Sequence, residues 1–201
     1  AIMTDRGTMG EKSGVIEWYE QRPVVRFAPI EHWMFRRSFA PASVAREEEP
    51  GFSGRWQRPE LPPDTAWRAI EVPAPWEKPL GYDYDGWGWY RARFPLPADA
   101  RGRVIVLDLG RIDDRDWTWV NGQFVGGQGD WQNFRRYRLK PGDPAYGSLV
   151  FGGDNVVAVE LHQAQAADPD LLFGCSLTAT ITAGTRSSPV VLNEVAASDA
   201  S

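Results

Sequence analysis

The sequence predicts an all-β protein, a jelly-roll sandwich of two antiparallel sheets with long loops. Three observations carry this. Short apolar stretches alternate with Gly- and Pro-rich punctuation at fairly regular spacing. No segment of useful length repeats with helical period. One stretch, "WTWVNGQFVG", alternates on both sides of Asn121-Gly122, the strongest short hairpin signal, because both central residues of a type I′ turn need positive φ.

In chain order, residues 1–25 read as a polar lead or linker with one apolar patch, "VIEWY". Residues 26–185 read as the sandwich, and 186–201 as a linker or the start of a following module. "PVVRFAP" is a strand and "HWMFRRSF" a further apolar segment. "REEEPGFSGRWQRPELPPDTAW" is a long loop whose Glu47-Glu48-Glu49 run is expected to be a solvated face. "WRAIEVPAPW" alternates until its prolines end it. "GYDYDGWGWYRARFPLP" is an aromatic loop entering a strand, with Trp89 and Tyr90 expected in the core. "RVIVLDLG" is a strand buried on both faces. In the hairpin, Trp119 is expected opposite Phe124 and Val120 opposite Gln123. That places Trp117, Trp119 and Phe124 on one face and Thr118, Val120 and Val125 on the other. "NVVAVELHQ" and "CSLTATITA" complete the strands.

Composition narrows the function. A net charge of -5 argues against a nucleic-acid partner, and no apolar run has the length of a membrane span. All but three of the 22 basic residues are arginine, whose planar fork suits carboxylates and hydroxyls. The lone Cys175 excludes an internal disulfide and reads as a buried thiol. Ten tryptophans in 201 residues require either a very aromatic core or a face that stacks on a ligand.

Two segments carry the candidate ligand-binding residues. In the first, Tyr82, Tyr84 and Trp87 lie among aspartates and glycines. A sugar offers an apolar C–H face and a rim of hydroxyls, which such a mixture of rings and carboxylates matches. The sequence leaves these three rings open between exposure and burial. In the second, Gln128, Asp130, Trp131 and Asn133 supply polar groups and a ring, and Arg135 with Arg136 would suit an acidic sugar. The alternative is a loop tucked onto the sandwich with its arginines paired to nearby acids. Asp113, Asp114 and Asp116 offer a third cluster. They lack calcium-loop spacing, adjacent residues of an extended strand point to opposite faces, and Arg111 and Arg115 stand beside them as counter-ions. Internal ion pairing is therefore favoured over catalysis. His32 and His162 have no partners at zinc spacing, so no catalytic or transition-metal site is assigned.

The order "DTAWRAIEVPAPWE", "DGWGWYRARFPLP", "RVIVLDLGRIDDRDWTWVNGQFVG", "DNVVAVEL" resembles the jelly-roll sugar-binding domain of glycoside hydrolase family 2. It is also similar to related galactose-binding-like modules. The resemblance covers most of the chain. It implies a sandwich attached to a catalytic barrel, performing no chemistry itself, in a secreted (extracellular or periplasmic) protein. The implied partners are a glycan or polysaccharide and a catalytic domain of the same polypeptide. No cofactor is implied beyond a structural Ca²⁺, for which no ligand set is assignable. In β-galactosidases of that family the loop after the Asn-Gly hairpin reads Val-Gly-x-Gly-Gln-Asp, and its Asp reaches substrate. Here "VGGQGDWQ" puts Gln128 and Asp130 in similar places with the spacing altered by one. "PVVLNEVAASDAS" is similar to the opening strand of lamin-tail-type domains. The function so implied is a non-catalytic carbohydrate-binding or accessory module. The alternative is a purely structural sandwich that packs on a catalytic domain and binds no sugar alone.

Overall fold

The computed structural model describes residues 25–26, 30–61, 64–74, 76, 80–82, 84–112, 115–130, 132–163 and 180–182. Strands β1 (Val25–Arg26), β5 (Val104–Arg111), β8 (Phe134–Leu139) and β10 (Thr180–Thr182) form a four-stranded sheet in the order β1-β10-β5-β8. Strands β2 (Trp33–Arg37), β3 (Arg68–Ile70), β4 (Gly86–Leu96), β6 (Arg115–Val120), β7 (Gln123–Gln128) and β9 (Gly153–Gln163) form the second, in the order β3-β2-β4-β9-β6-β7. Every pairing is antiparallel. The expected all-β sandwich is the observed fold. Its α-helices among the described residues are single turns, α1 (Pro50–Ser53) and α2 (Pro144–Gly147).

The main core lies between the sheets. Trp33, Phe35, Tyr90, Phe94, Leu96, Val157, Val159 and Leu161 of the larger sheet meet Ile105, Leu107, Leu109, Tyr137 and Leu139 of the smaller. Trp76 enters it from the loop before β4 and is fully buried against Phe35 and Tyr84. Strand β4 shows how the larger sheet is used. Its second half alternates buried and exposed, whereas Gly86 to Tyr90 are buried without interruption. Something therefore covers the outer face of the first half.

The cover is a strap made by residues 41–61 and 64–67, most of which fall in the long loop expected from Arg46 to Trp67. It lays Phe52, Trp56, Leu61 and Trp67 over Trp89, Trp117, Trp119 and Ala158. The sheet anchors it through polar groups. Arg91 donates to the carbonyls of Trp56 and Arg58, Arg36 pairs with Asp64, and His162 Nε2 lies 2.9 Å from the Ala42 carbonyl. Glu49 corrects the expectation of a solvated acidic run. Glu47 and Glu48 are exposed, but Glu49 is completely buried. Its carboxylate accepts from the amides of Gly51 and Phe52, capping α1, and from Trp89 Nε1. Gly51 has no room for a side chain there, because a Cβ would stand 2.1 Å from Trp89 Nε1.

A second buried acid, Glu160, pairs with Arg46 of the strap at 2.8 Å. Burial pushes its carboxyl from 4.5 up to about 8, against the opposing pull of Arg46 and with Glu49 and Glu47 adding to the rise. A carboxyl raised on folding binds more protons in the native state. Its favourable contribution is thus full below about pH 4.5 and lost as pH rises through about 8. Glu160→Gln keeps an acceptor for Arg46 and removes the titration. The expected result is a flatter dependence of thermal stability on pH between those limits. Parallel profiles for variant and wild type would contradict it.

Candidate functional site

The β6–β7 hairpin forms as its sequence dictates. Asn121 (φ 48) and Gly122 (φ 78) both take positive φ, and Trp119 pairs with Phe124 and Val120 with Gln123. A bulge between Thr118 and Trp119 then shifts the register, so Thr118 faces Gly126 rather than Val125. Gly126 makes room for Tyr137 of the other sheet, since a Cβ there would stand 2.4 Å from its ring.

At the far end of this hairpin, Asp116 is fully buried and is the hub of a network between the sheets. Its Oδ1 accepts from Arg135 Nε at 2.8 Å and from the Gln128 amide; its Oδ2 accepts from Thr118 Oγ1 and the Tyr137 hydroxyl. Burial, reinforced by the Asp116 charge, pushes the Tyr137 phenol far up, so it stays a donor. The counter-ion of Asp116 is therefore Arg135, while Arg111 and Arg115 lie over the rings of Phe134 and Trp117. Asp113 and Asp114 lie outside the described residues.

Arg135 is thereby occupied. Completely buried, it also donates to the carbonyls of Asp130 and Asn133, and so is spent on these backbone groups rather than open to an acidic sugar. Asp130 and Asn133 are exposed and bonded to each other, with the Gln132 amide also on the Asp130 carboxylate. Gln128 is partly buried beside them. Trp131 lies outside the described residues.

The aromatic loop divides differently. Trp87 is 3% exposed, its ring stacked on His162 (4.0 Å) and on Trp117 (5.6 Å), and this burial leaves no open face for a ligand. Tyr84 is half-buried on Trp76 and donates its hydroxyl to the Trp87 carbonyl. Tyr82 alone of the three is open, at 45% exposure. Trp89 and Tyr90 are buried as expected. Eight of the ten tryptophans fall among the described residues. Trp33 and Trp76 serve the main core, and the other six lie in the layer beneath or within the strap.

What remains open is a rim where β2 ends and β4 begins. Phe39 is 68% exposed and carries φ 65, a left-handed backbone that a bulky side chain rarely adopts. Surrounding bonds hold it there: Ser38 N donates to the Trp87 carbonyl and Ala40 N to Ser38 Oγ. The Arg37 guanidinium lies 4.0 Å from the Phe39 ring and 5.2 Å from that of Tyr82. No carboxylate among the described residues pairs with it. Two solvent-facing rings thus flank a donor fork. Reasoning from sequence found Tyr82 but not Phe39 or Arg37, which read there as part of an apolar segment. The sheet order sets the rim and the Gln128–Asp130 segment at the same end of the larger sheet, four strand spacings or about 20 Å apart. The two sequence candidates are therefore not one pocket.

No protein-family model matches the sequence, and no curated protein matches it. Solved structures do. A glycosyl hydrolase family 2 member from Bacteroides cellulosilyticus DSM 14838 matches over 72% of this chain at TM-score 0.50 and 21% identity. The fold is shared with family 2 glycoside hydrolases. β-Glucuronidases from Ruminococcus gnavus (TM-score 0.53, 22% identity, 72% of this chain) and from an uncultured Clostridium sp. (0.53, 18%, 71%) match similarly. The chain spans only 18%, 24% and 22% of those three structures, respectively. It corresponds to one domain of a much longer polypeptide in each.

Proposed function

We propose that this chain is a non-catalytic accessory sandwich of a secreted, polysaccharide-acting protein, and that it meets glycan at the rim of Arg37, Phe39 and Tyr82. The observation that carries the reading is Phe39. A large ring held at an unfavourable φ and two-thirds exposed does nothing for the core, yet it stands ready to stack on a sugar face beside a guanidinium that hydroxyls can accept from. The fold likeness supports a place beside a glycoside hydrolase catalytic domain. Asp130, exposed in the loop that Arg135 fixes, and Gln128, partly buried at the end of β7, are suited to a second polar contact along the same edge.

The test is a binding screen of the 201-residue chain against neutral, acidic and galactose-rich polysaccharides. Saturable binding in the micromolar to millimolar range is expected, weakened about fivefold or more by Phe39→Ala and by Tyr82→Ala, equivalent to about 1 kcal/mol per ring. Binding of the neutral and galactose-rich polysaccharides untouched by both substitutions would remove the rim.

A second reading has its own support. Phe124 and Phe134, each 56% exposed, lie away from the rim, as a sandwich clasped by a neighbouring domain would present them. No binding across the whole panel would favour that structural role.

A further inference from the structure

A groove of about 640 Å³ lies at the opposite end of the β6–β7 hairpin from Gln128, between residues 54–61 of the strap and the Asn121-Gly122 turn. Strand β7, six residues long, separates it from the Gln128–Asp130 segment by about 20 Å. Its size is that of a small-ligand site. Both walls are fixed in advance. On one side, Arg91 Nη1 holds the Arg58 carbonyl at 2.8 Å and also the Trp56 carbonyl, while the Trp56 ring is locked into the tryptophan layer. On the other, the Asn121 side chain donates to the Ser148 carbonyl and Asn155 Oδ1 and accepts from the Val156 amide.

The lining fits one chemistry. Arg55 and Arg58 are exposed, and neither guanidinium has an ion-pair partner among the described residues. Glu60 is the single acid, so the groove carries an excess positive charge in a chain whose net charge is -5. The Gln123 amide faces them, and Pro59 with Leu61 gives a short apolar strip. Forked donors match carboxylates in two-point fashion, an amide serves hydroxyls, and the apolar strip suits a C–H face.

We propose that this groove is a binding site for a carboxylate-bearing saccharide, separate from the rim and independent of it. Preformed walls keep the ordering penalty small. The modest area and the open guanidiniums set the affinity in the micromolar to millimolar range and make it weaken with salt.

The experiment is calorimetric titration of the 201-residue chain with trigalacturonate, and with galactotriose as the neutral match. The expected result is saturable binding of trigalacturonate, weakened tenfold or more in Arg55→Ala/Arg58→Ala and unchanged in Phe39→Ala, while galactotriose binding at the rim does not respond to the double substitution. Both arginines are exposed, so the variant should keep the wild-type melting temperature. Gln123→Glu, on the facing wall, should weaken binding with both arginines intact. Galactotriose binding weakened equally by the double substitution, equal binding of succinate, trigalacturonate binding that survives the double substitution, or no binding of trigalacturonate would each overturn the proposal.

Discussion

Asp116→Ala is expected to destabilise the chain by about 3–5 kcal/mol, the range for removing one member of a buried ion pair. Asp116 and Arg135 are both fully buried, so the substitution strands a guanidinium away from water. It also removes the acceptor of Thr118 Oγ1 and of the Tyr137 hydroxyl, two further donors with no solvent to turn to. At roughly 2–4 °C per kcal/mol for a chain of this size, the melting temperature should fall by about 6–20 °C. The pair need not be irreplaceable. Combining Asp116→Ala with Arg135→Met removes both charges together, and much of the loss should return. A single variant as stable as wild type would mean that the pair is not closed to water. In the double variant the Asp130 and Asn133 carbonyls lose their Arg135 donor, and amide exchange at Gln132 and Asn133 should rise.

Trp89→Ala carries the second large effect. Trp89 is fully buried, stacked on Trp119 at 5.3 Å and edge-on to Trp56, with its Nε1 on Glu49. Removing it opens a cavity between sheet and strap and deprives a buried carboxylate of one of three donors. About 3–5 kcal/mol is expected from the cavity alone. Because Gly51 sits against that indole, α1 should loosen first, and amide exchange across residues 46–56 should rise before exchange in β9 does. Trp89→Phe, which keeps a ring, should lose substantially less. A loss below 1 kcal/mol for Trp89→Ala would show that the strap does not depend on the layer beneath it.

Much of the fold was legible in the sequence for local reasons. Asn121-Gly122 announces a hairpin because few other pairs accept two positive φ values, and the strands of the main core announce themselves by apolar alternation or continuous runs. The strap was not legible. Residues 41–67 have no period to read, and what makes them a cover is a set of contacts with residues far along the chain, such as Arg46 with Glu160 and Glu49 with Trp89. Nothing local distinguishes Glu49 from Glu47 and Glu48. The candidate site was partly legible. An exposed Tyr82 and a buried Trp87 come from one Gly-rich stretch, and their fates are decided by whether Trp117 and His162 are there to cover the ring. Arg135 was read as a ligand group because its partner, Asp116, is nineteen residues away on another sheet. Phe39 escaped notice because its exposure follows from a backbone angle that no residue pattern encodes.

The most direct test of glycan contact at the rim is a proton–nitrogen correlation spectrum of the labelled chain, recorded while the neutral oligosaccharides of the polysaccharide screen are added. It resolves arginine Nε–H and indole Nε1–H signals together. Shifts confined to Arg37 Nε–H and the amides around Phe39 and Tyr82, with the indoles of Trp87, Trp89 and Trp119 still, are the expected result. Movement of those indoles with Arg37 unmoved, or no movement anywhere, would contradict it.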